Sequence, residues 1–302
     1  MCRLFGLSAA PNRVRATFWL LDATDSLTAQ SRREPDGVGL GVFAPDGTPM
    51  VHKRPLAAYQ DAEFAREARE VKAATFLAHI RFASTGPVAL ANTHPFLRDG
   101  RLFAHNGVIG GIGRLEAELG EDRSLVGGDT DSERLFALIT RHIQAAGGDV
   151  GAGIAAAVRW VAASLPVFSL NLVLTTPDEL WALRYPETHD LLVLQRRAGG
   201  PAGDRHLDHA SAPGTVRVRS RDLAAIPAVV VASERMDEDP GWRSLGSGEL
   251  LHVGAGQQVS SRLVLERPPE RPLTLADLDP RAAASQQATS SSATGLRPPR
   301  TR

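Results

Sequence analysis

The 302-residue sequence predicts an α+β fold built on largely antiparallel sheets. Three observations carry that expectation. Segments rich in β-branched and aromatic residues come in runs instead of alternating one by one with helices. Helical periodicity is confined to a few stretches. No repeat and no long linker divides residues 2–266, which therefore read as one domain.

In chain order, the first strand spans 38–43, where Val38, Leu40, Val42 and Phe43 interleave with glycines. A helix over 62–74 leads into a strand over 75–82, marked by Phe76, Leu77, Ile80 and Phe82. Leu102, Phe103 and Ala104 extend to Asn106-Gly107, a dipeptide that most simply makes a tight turn. The next helix, 132–144, sets Leu135, Phe136, Leu138, Ile139 and Ile143 on one face. Asp129, Thr130, Asp131 and Ser132 mark its start, because short polar side chains accept from the orphan amides of a helix N-terminus. A helix over 154–165 follows. Strands are then expected over 168–176, 180–185, 191–195, 216–218, 228–233 and 249–253. From Arg267 onward, repeated Pro and Ser with few apolar residues give a stretch too poor in burial to offset its ordering entropy. Residues 267–302 read as a disordered tail, with at most a short helix over 274–278.

Composition excludes several functions. Lys+Arg and Asp+Glu are both 34, so bulk positive charge is not available for a nucleic-acid binder. Apart from Lys53 and Lys72 the basic residues are arginines, scattered rather than clustered. No apolar run approaches the ~20 residues of a membrane span, and the first residues lack a signal-peptide core. The expectation is a soluble, cytoplasmic protein. One cysteine leaves no intrachain disulfide and no cysteine-based zinc site.

That cysteine is Cys2. If Met1 is removed, the Cys2 thiol sits beside a free α-amine whose ordinary pKa of about 7.7–8.0 suits it to act as a base for that thiol. A chance cysteine near a terminus is the bland alternative. Arg81 ends an apolar strand, where a guanidinium can clamp a carboxylate through two parallel bonds or simply pair with an acidic neighbour. Asn106-Gly107 can form the turn, or present a side-chain amide and a backbone N–H to one oxygen. Asp131 can cap its helix or face an ammonium group. A metal site of His79, His94, His105 and Asp131 is a rival, but the spacings match no metal motif and Arg81 would repel a cation.

Taken together, Cys2 behind Met1, His-x-Arg-x-Ala-Ser-Thr-Gly at 79–86, Asn-x-His-Pro-Phe at 92–96, His-Asn-Gly at 105–107 and Asp-Thr-Asp-Ser-Glu at 129–133 resemble a class II glutamine amidotransferase domain of the N-terminal nucleophile (Ntn) hydrolases. The motifs stand in the family's order and span about the first half of the chain. Pro35-Asp36-Gly37-Val38-Gly39 further resembles the Asp-Gly-Trp-Gly stretch of small stand-alone members, with Val38 in place of Trp. The resemblance implies a four-layer αββα sandwich of two antiparallel sheets. It implies Cys2 as nucleophile, its α-amine as base, and Asn106 with Gly107 N–H as oxyanion hole. It further implies Arg81 for the α-carboxylate of glutamine, Asp131 for its ammonium, and Ser84 and His94 lining the pocket. The reaction implied is attack on the γ-amide, a γ-glutamyl thioester, and release of ammonia and glutamate, with no cofactor. Ammonia would pass to a separate synthase partner, or the protein would hydrolyse a γ-glutamyl amide, as one branch does in ergothioneine biosynthesis.

Overall fold

The computed structural model describes residues 2–198, 208–210, 217–219 and 221–286. Two sheets lie face to face. The first has the order β13 (Arg243–Ser244), β9 (Leu192–Arg196), β12 (Ala228–Ala232), β1 (Arg3–Ser8), β4 (Thr75–Arg81), β2 (Gly37–Phe43), β3 (Pro49–Arg54). The second runs β15 (Val259–Leu263), β14 (Glu249–Val253), β8 (Leu180–Leu183), β7 (Pro166–Thr175), β6 (Arg101–Ile109), β5 (Phe96–Arg98). Neighbours along both orders pair antiparallel. A short ribbon of β10 (Asp208–Ala210) and β11 (Arg217–Arg219) stands apart from both; Val216, expected to open that second strand, lies outside the described residues.

Alternation along the strands makes three apolar layers, because successive side chains point to opposite faces. Leu4, Leu77, Leu102, Ala104, Val173 and Val231 fill the space between the sheets. Phe5, Phe76, Ile80 and Val38 face outward to Trp19, Leu27 of α1 (Leu27–Gln30) and Phe64 of α2 (Ala62–Glu70). On the far side, Phe103, Leu170, Leu172 and Trp181 meet α4 (Asp131–Ala145) and α5 (Val150–Ser164). Helices, sheet, sheet, helices: this is the expected αββα sandwich. Among the described residues no helix is long and apolar enough to cross a membrane.

Three expectations change. Asn106 and Gly107 are not a turn; they lie inside β6, paired with Asn171 and Leu170 of β7. The helix expected to reach residue 74 stops at Glu70, because Ala73 leaves it to pair with Val14. Residues 267–286 are not a loose tail. They carry β16 (Arg271–Pro272), parallel to β7, and α7 (Pro280–Gln286), whose Ala282, Ser285 and Gln286 are buried. Residues 287–302, the rest of the expected tail, lie outside the described residues.

Candidate active site

The sheets bring the sequence candidates to one end of the sandwich. Cys2 precedes β1, and the pairing Arg3–Ile80 sets it level with Arg81 and Phe82 at the end of β4. Phe82 N–H donates to Cys2 Sγ at 3.2 Å, and the thiol in turn lies 3.2 Å from Phe82 O. Burial pushes the Cys2 thiol pKa up, against the lowering pull of the Phe82 contact and the Arg81 charge. The resting sulfur is therefore protonated and needs a base when it reacts. The Cys2 peptide is tied down by Asn106 Nδ2 donating to its carbonyl at 2.9 Å and by Arg3 Nη1 at 3.3 Å. Arg3 itself pairs with Glu34 and Glu234, so a buried ionic cluster underlies the nucleophile.

Asn106 comes from the opposite sheet. Its Nδ2 already faces the Cys2 backbone, while its buried Oδ1 has no hydrogen-bond partner among the described residues. Leu170 N–H is taken by Tyr185 O on the other side of β7. In an antiparallel ladder this makes Gly107–Leu170 a non-hydrogen-bonded pair, so Gly107 N–H points away from β7. A side-chain amide and a backbone N–H turned away from its strand partner thus sit side by side, as an oxyanion hole requires.

Arg81 has folded its own loop around it. Its guanidinium donates to Thr85 O at 2.7 Å, Pro87 O at 2.9 Å and Gly86 O at 3.4 Å. These bonds leave some of its five N–H donors for a ligand carboxylate. Thr85 Oγ1 of this loop donates to Asp131 Oδ1 at 3.1 Å, and Ile109 N–H to Asp131 Oδ2 at 2.8 Å. Asp131 opens α4, where it also accepts from Ser132 N–H. It is the structural joint of the loop, β6 and α4, as well as a buried carboxylate able to accept an ammonium. Ser84 is half-buried at the start of the same loop.

His94 stands farther back, buried, with its ring 4.2 Å from that of His79 and 4.6 Å from Phe96. Burial, with the neighbouring positive groups adding to it, holds His94 well below the usual imidazole range. His79 is pushed down to about 3 for the same reason. His105 is turned to α4, Nδ1 meeting Ser132 Oγ at 2.9 Å. Among the described residues the potential ligand atoms that cluster within 4.8 Å belong instead to His52, Asp61 and Glu63, where Asp61 caps α2.

Several supporting residues escaped the sequence reading. Asp36 Oδ2 accepts from Ala83 N–H at 2.9 Å and Asp36 N–H donates to Arg81 O, fixing the strand end that carries Arg81. The Asp-Gly-x-Gly segment was its only signal. Asn92 joins Pro87 O to both ends of Asp129, closing the loop against the start of α4. A cavity of about 820 Å³ is lined by Asp149, Trp181, His252 and Arg262, and none of Cys2, Arg81, Asn106 or Asp131 touches it. The convergence of chemistry, not cavity size, marks the site.

Comparison with known proteins bears on the family and the fold. A family model described as class-II glutamine amidotransferases matches residues 1–274. YafJ of Escherichia coli is 31% identical over 274 residues, covering 86% of this chain and 100% of that protein. A Mycobacterium tuberculosis protein named gamma-glutamyl-hercynylcysteine sulfoxide hydrolase is 29% identical, covering 84% of this chain and 93% of its own length. Among solved structures, the glutamine phosphoribosylpyrophosphate amidotransferase of B. subtilis superposes with a TM-score of 0.61 at 19% identity. That match covers 88% of this chain but spans only 50% of the solved chain, and it speaks for the fold.

Proposed function

The chain belongs to the class II glutamine amidotransferases, and on that footing we propose that it hydrolyses the γ-amide of glutamine or of a γ-glutamyl amide through a thioester on Cys2. One observation carries the reading: Asn106 Nδ2 from one sheet meets Cys2 O from the other at 2.9 Å, beside the outward Gly107 N–H. Nucleophile and oxyanion donors are thereby held together across the two sheets, by the start of β1 and by β6.

The substrate carboxylate binds Arg81 and its ammonium binds Asp131, which sets the γ-carbonyl beside Sγ. With Met1 removed, the α-amine of Cys2 takes the thiol proton as sulfur attacks. Negative charge gathers on the carbonyl oxygen, where Asn106 Nδ2 and Gly107 N–H stabilise it. The C–N bond breaks, and the leaving amine takes the proton from the α-ammonium. Water then adds to the thioester, passing a proton to the same α-amine, and glutamate leaves as the thiol re-forms. Met1 lies outside the described residues. Hydrolysis without a synthase is favoured by the tuberculosis relative, which bears a hydrolase name and matches nearly end to end.

The test is turnover of glutamine and of γ-glutamyl amides, read as glutamate and released amine. Cys2→Ala and Cys2→Ser should be folded and inactive, since a hydroxyl is a far poorer nucleophile at this pH. Protein with an uncleavable residue ahead of Cys2 should also be folded and inactive. Full activity in protein that retains Met1 would defeat the α-amine mechanism.

A further inference from the structure

On β8, β14 and β15 the register sets Trp181, His252 and Ser260 abreast, with Leu183, Leu250 and Arg262 abreast two residues along, so all six side chains share one face. Trp181, Leu183 and Leu250 belong to the core that α5 covers. That helix begins only at Val150, and ahead of its first turn the same face lies open as the cavity of about 820 Å³. The cavity stands away from the catalytic residues. Thr176, on its rim, accepts from Thr75 Oγ1 through its carbonyl at 2.6 Å. Thr75 opens β4 and Arg81 closes it, so the cavity and Cys2 lie toward opposite ends of a seven-residue strand about 20 Å long.

Donors without partners converge there. Trp181 is only 5% exposed, yet its indole N–H has no acceptor among the described residues. Arg262 forms no hydrogen bond or ion pair among them either. A Cβ placed on Gly151 would stand 3.1 Å from Arg262 Nη2, 3.5 Å from Asp149 Oδ1 and 3.6 Å from Trp181 Nε1, so three side chains close on one spot at the helix start. The first amides of α5, those of Val150 and Gly151, lack intrahelical acceptors. Asp149 Oδ1 takes the N–H of Ala152 at 2.8 Å, which leaves Oδ2 without a partner among the described residues. The His252 ring lies 4.7 Å from that of Trp181 and 8° from parallel to it, while its Nε2 meets Glu179 Oε2 at 3.0 Å. With one face on the indole and one edge on Glu179, the imidazole has its second face left for the cavity that it lines.

We propose that this cavity is a second, non-catalytic site and that it binds a free α-amino acid with an aromatic side chain. The carboxylate is held by Arg262 and the Trp181 N–H, beside the amides that open α5. The ammonium group faces Asp149, and the aromatic ring lies on the second face of His252. Charge complementarity asks for both charges. Asp149, Asp178 and Glu179 outnumber Arg262 and His252 along the lining, which disfavours a bare anion. Arg262 Nη2 and Asp149 Oδ1 close on the same spot but form no ion pair, a spacing that suits a carboxylate and an ammonium carried on one carbon. The volume lies within the range of small-molecule sites.

Three probes separate the two charges: phenylalanine, 3-phenylpropionate, which lacks the ammonium, and phenethylamine, which lacks the carboxylate. Titrated calorimetrically into the full-length protein, phenylalanine should bind saturably, and each of the other two about tenfold or more weakly. Arg262→Gln, a change at an exposed side chain that should leave Tm unchanged, should weaken phenylalanine to the level of phenethylamine. Asp149→Asn, which can still cap α5, should weaken it to the level of 3-phenylpropionate. Trp181→Phe keeps a ring beside His252 but removes the donor, and should cost about threefold to tenfold. Arg81→Lys, altered in the catalytic pocket, should bind phenylalanine as the wild type does. No binding of phenylalanine, or equal binding of all three probes, would overturn the assignment. So would a loss in Arg81→Lys with none in Arg262→Gln, which would place the amino acid in the catalytic pocket instead.

Discussion

Gly107 shows how one atom decides the site. A Cβ at that position would stand 1.9 Å from Ser169 O and 2.7 Å from His105 Nε2, so any side chain drives β6 away from β7. Asn-Gly is a strong local turn signal, which is why the sequence reads it as a turn; here close backbone approach across the sheet requires the glycine instead. Gly107→Ala should therefore lower both stability and turnover. Asn106→Ala should lower turnover by about two to three orders of magnitude, since it removes an oxyanion donor, and should also lower Tm, since it removes the buried bond to Cys2 O. A kinetic loss below tenfold in Asn106→Ala would remove that assignment. Arg81 carries a double duty that its motif did not reveal. Arg81→Lys cannot hold the carbonyls of Thr85, Gly86 and Pro87 together, so it should raise KM and also expose the loop. Limited proteolysis near Val88 and Leu90, already exposed at 43% and 54%, reads the second effect.

At the level of elements, the strands with continuous β-branched or aromatic content were legible, and β2, β4, β7, β12 and β14 fall where composition puts them. β1 was not, because Arg3 and Gly6 interrupt its apolar run, although β1 sits in the middle of its sheet. Arg3 is buried there through Glu34 and Glu234, pairs a local reading does not see. The C-terminal segment escaped for a related reason. It docks through backbone bonds and through Gln286 on His189, so polar residues are buried in pairs and the low apolar content misleads. Truncation after Pro268 tests this: removal of β16 and α7 should lower Tm by about 5 °C or more, because several bonds of about 1 kcal/mol each are lost. A truncated protein with the wild-type Tm would mean that the segment contributes nothing to the body.

Across the whole molecule, facing two sheets leaves a thin interior in which a polar side chain has nowhere to meet water. His79 projects from β4 on the same face as Leu77, and with His94, whose ring is tilted 37° to its own at 4.2 Å, it forms a buried pair between the layers. Both are neutral in the fold because burial penalises the charged ring, His79 being pushed down to about 3 from an ordinary 6.5. The unfolded chain accepts protons near pH 6.5 that the folded protein refuses, so the sign is fixed: stability is full above that pH and falls as acid is added toward pH 3. Between pH 6.5 and 5.5 the two rings together should cost about 2 kcal/mol, or several degrees of Tm. His79→Gln, which keeps a polar side chain but cannot titrate there, should remove that ring's share, about 1 kcal/mol, from the change, while His105, His142 and His189, also held below the usual range by burial, add to what remains. Calorimetric scans of both proteins from pH 7.5 to 5 measure it directly. A wild-type Tm that stays flat across that range would show that the pair is already protonated, or open to water, in the folded state.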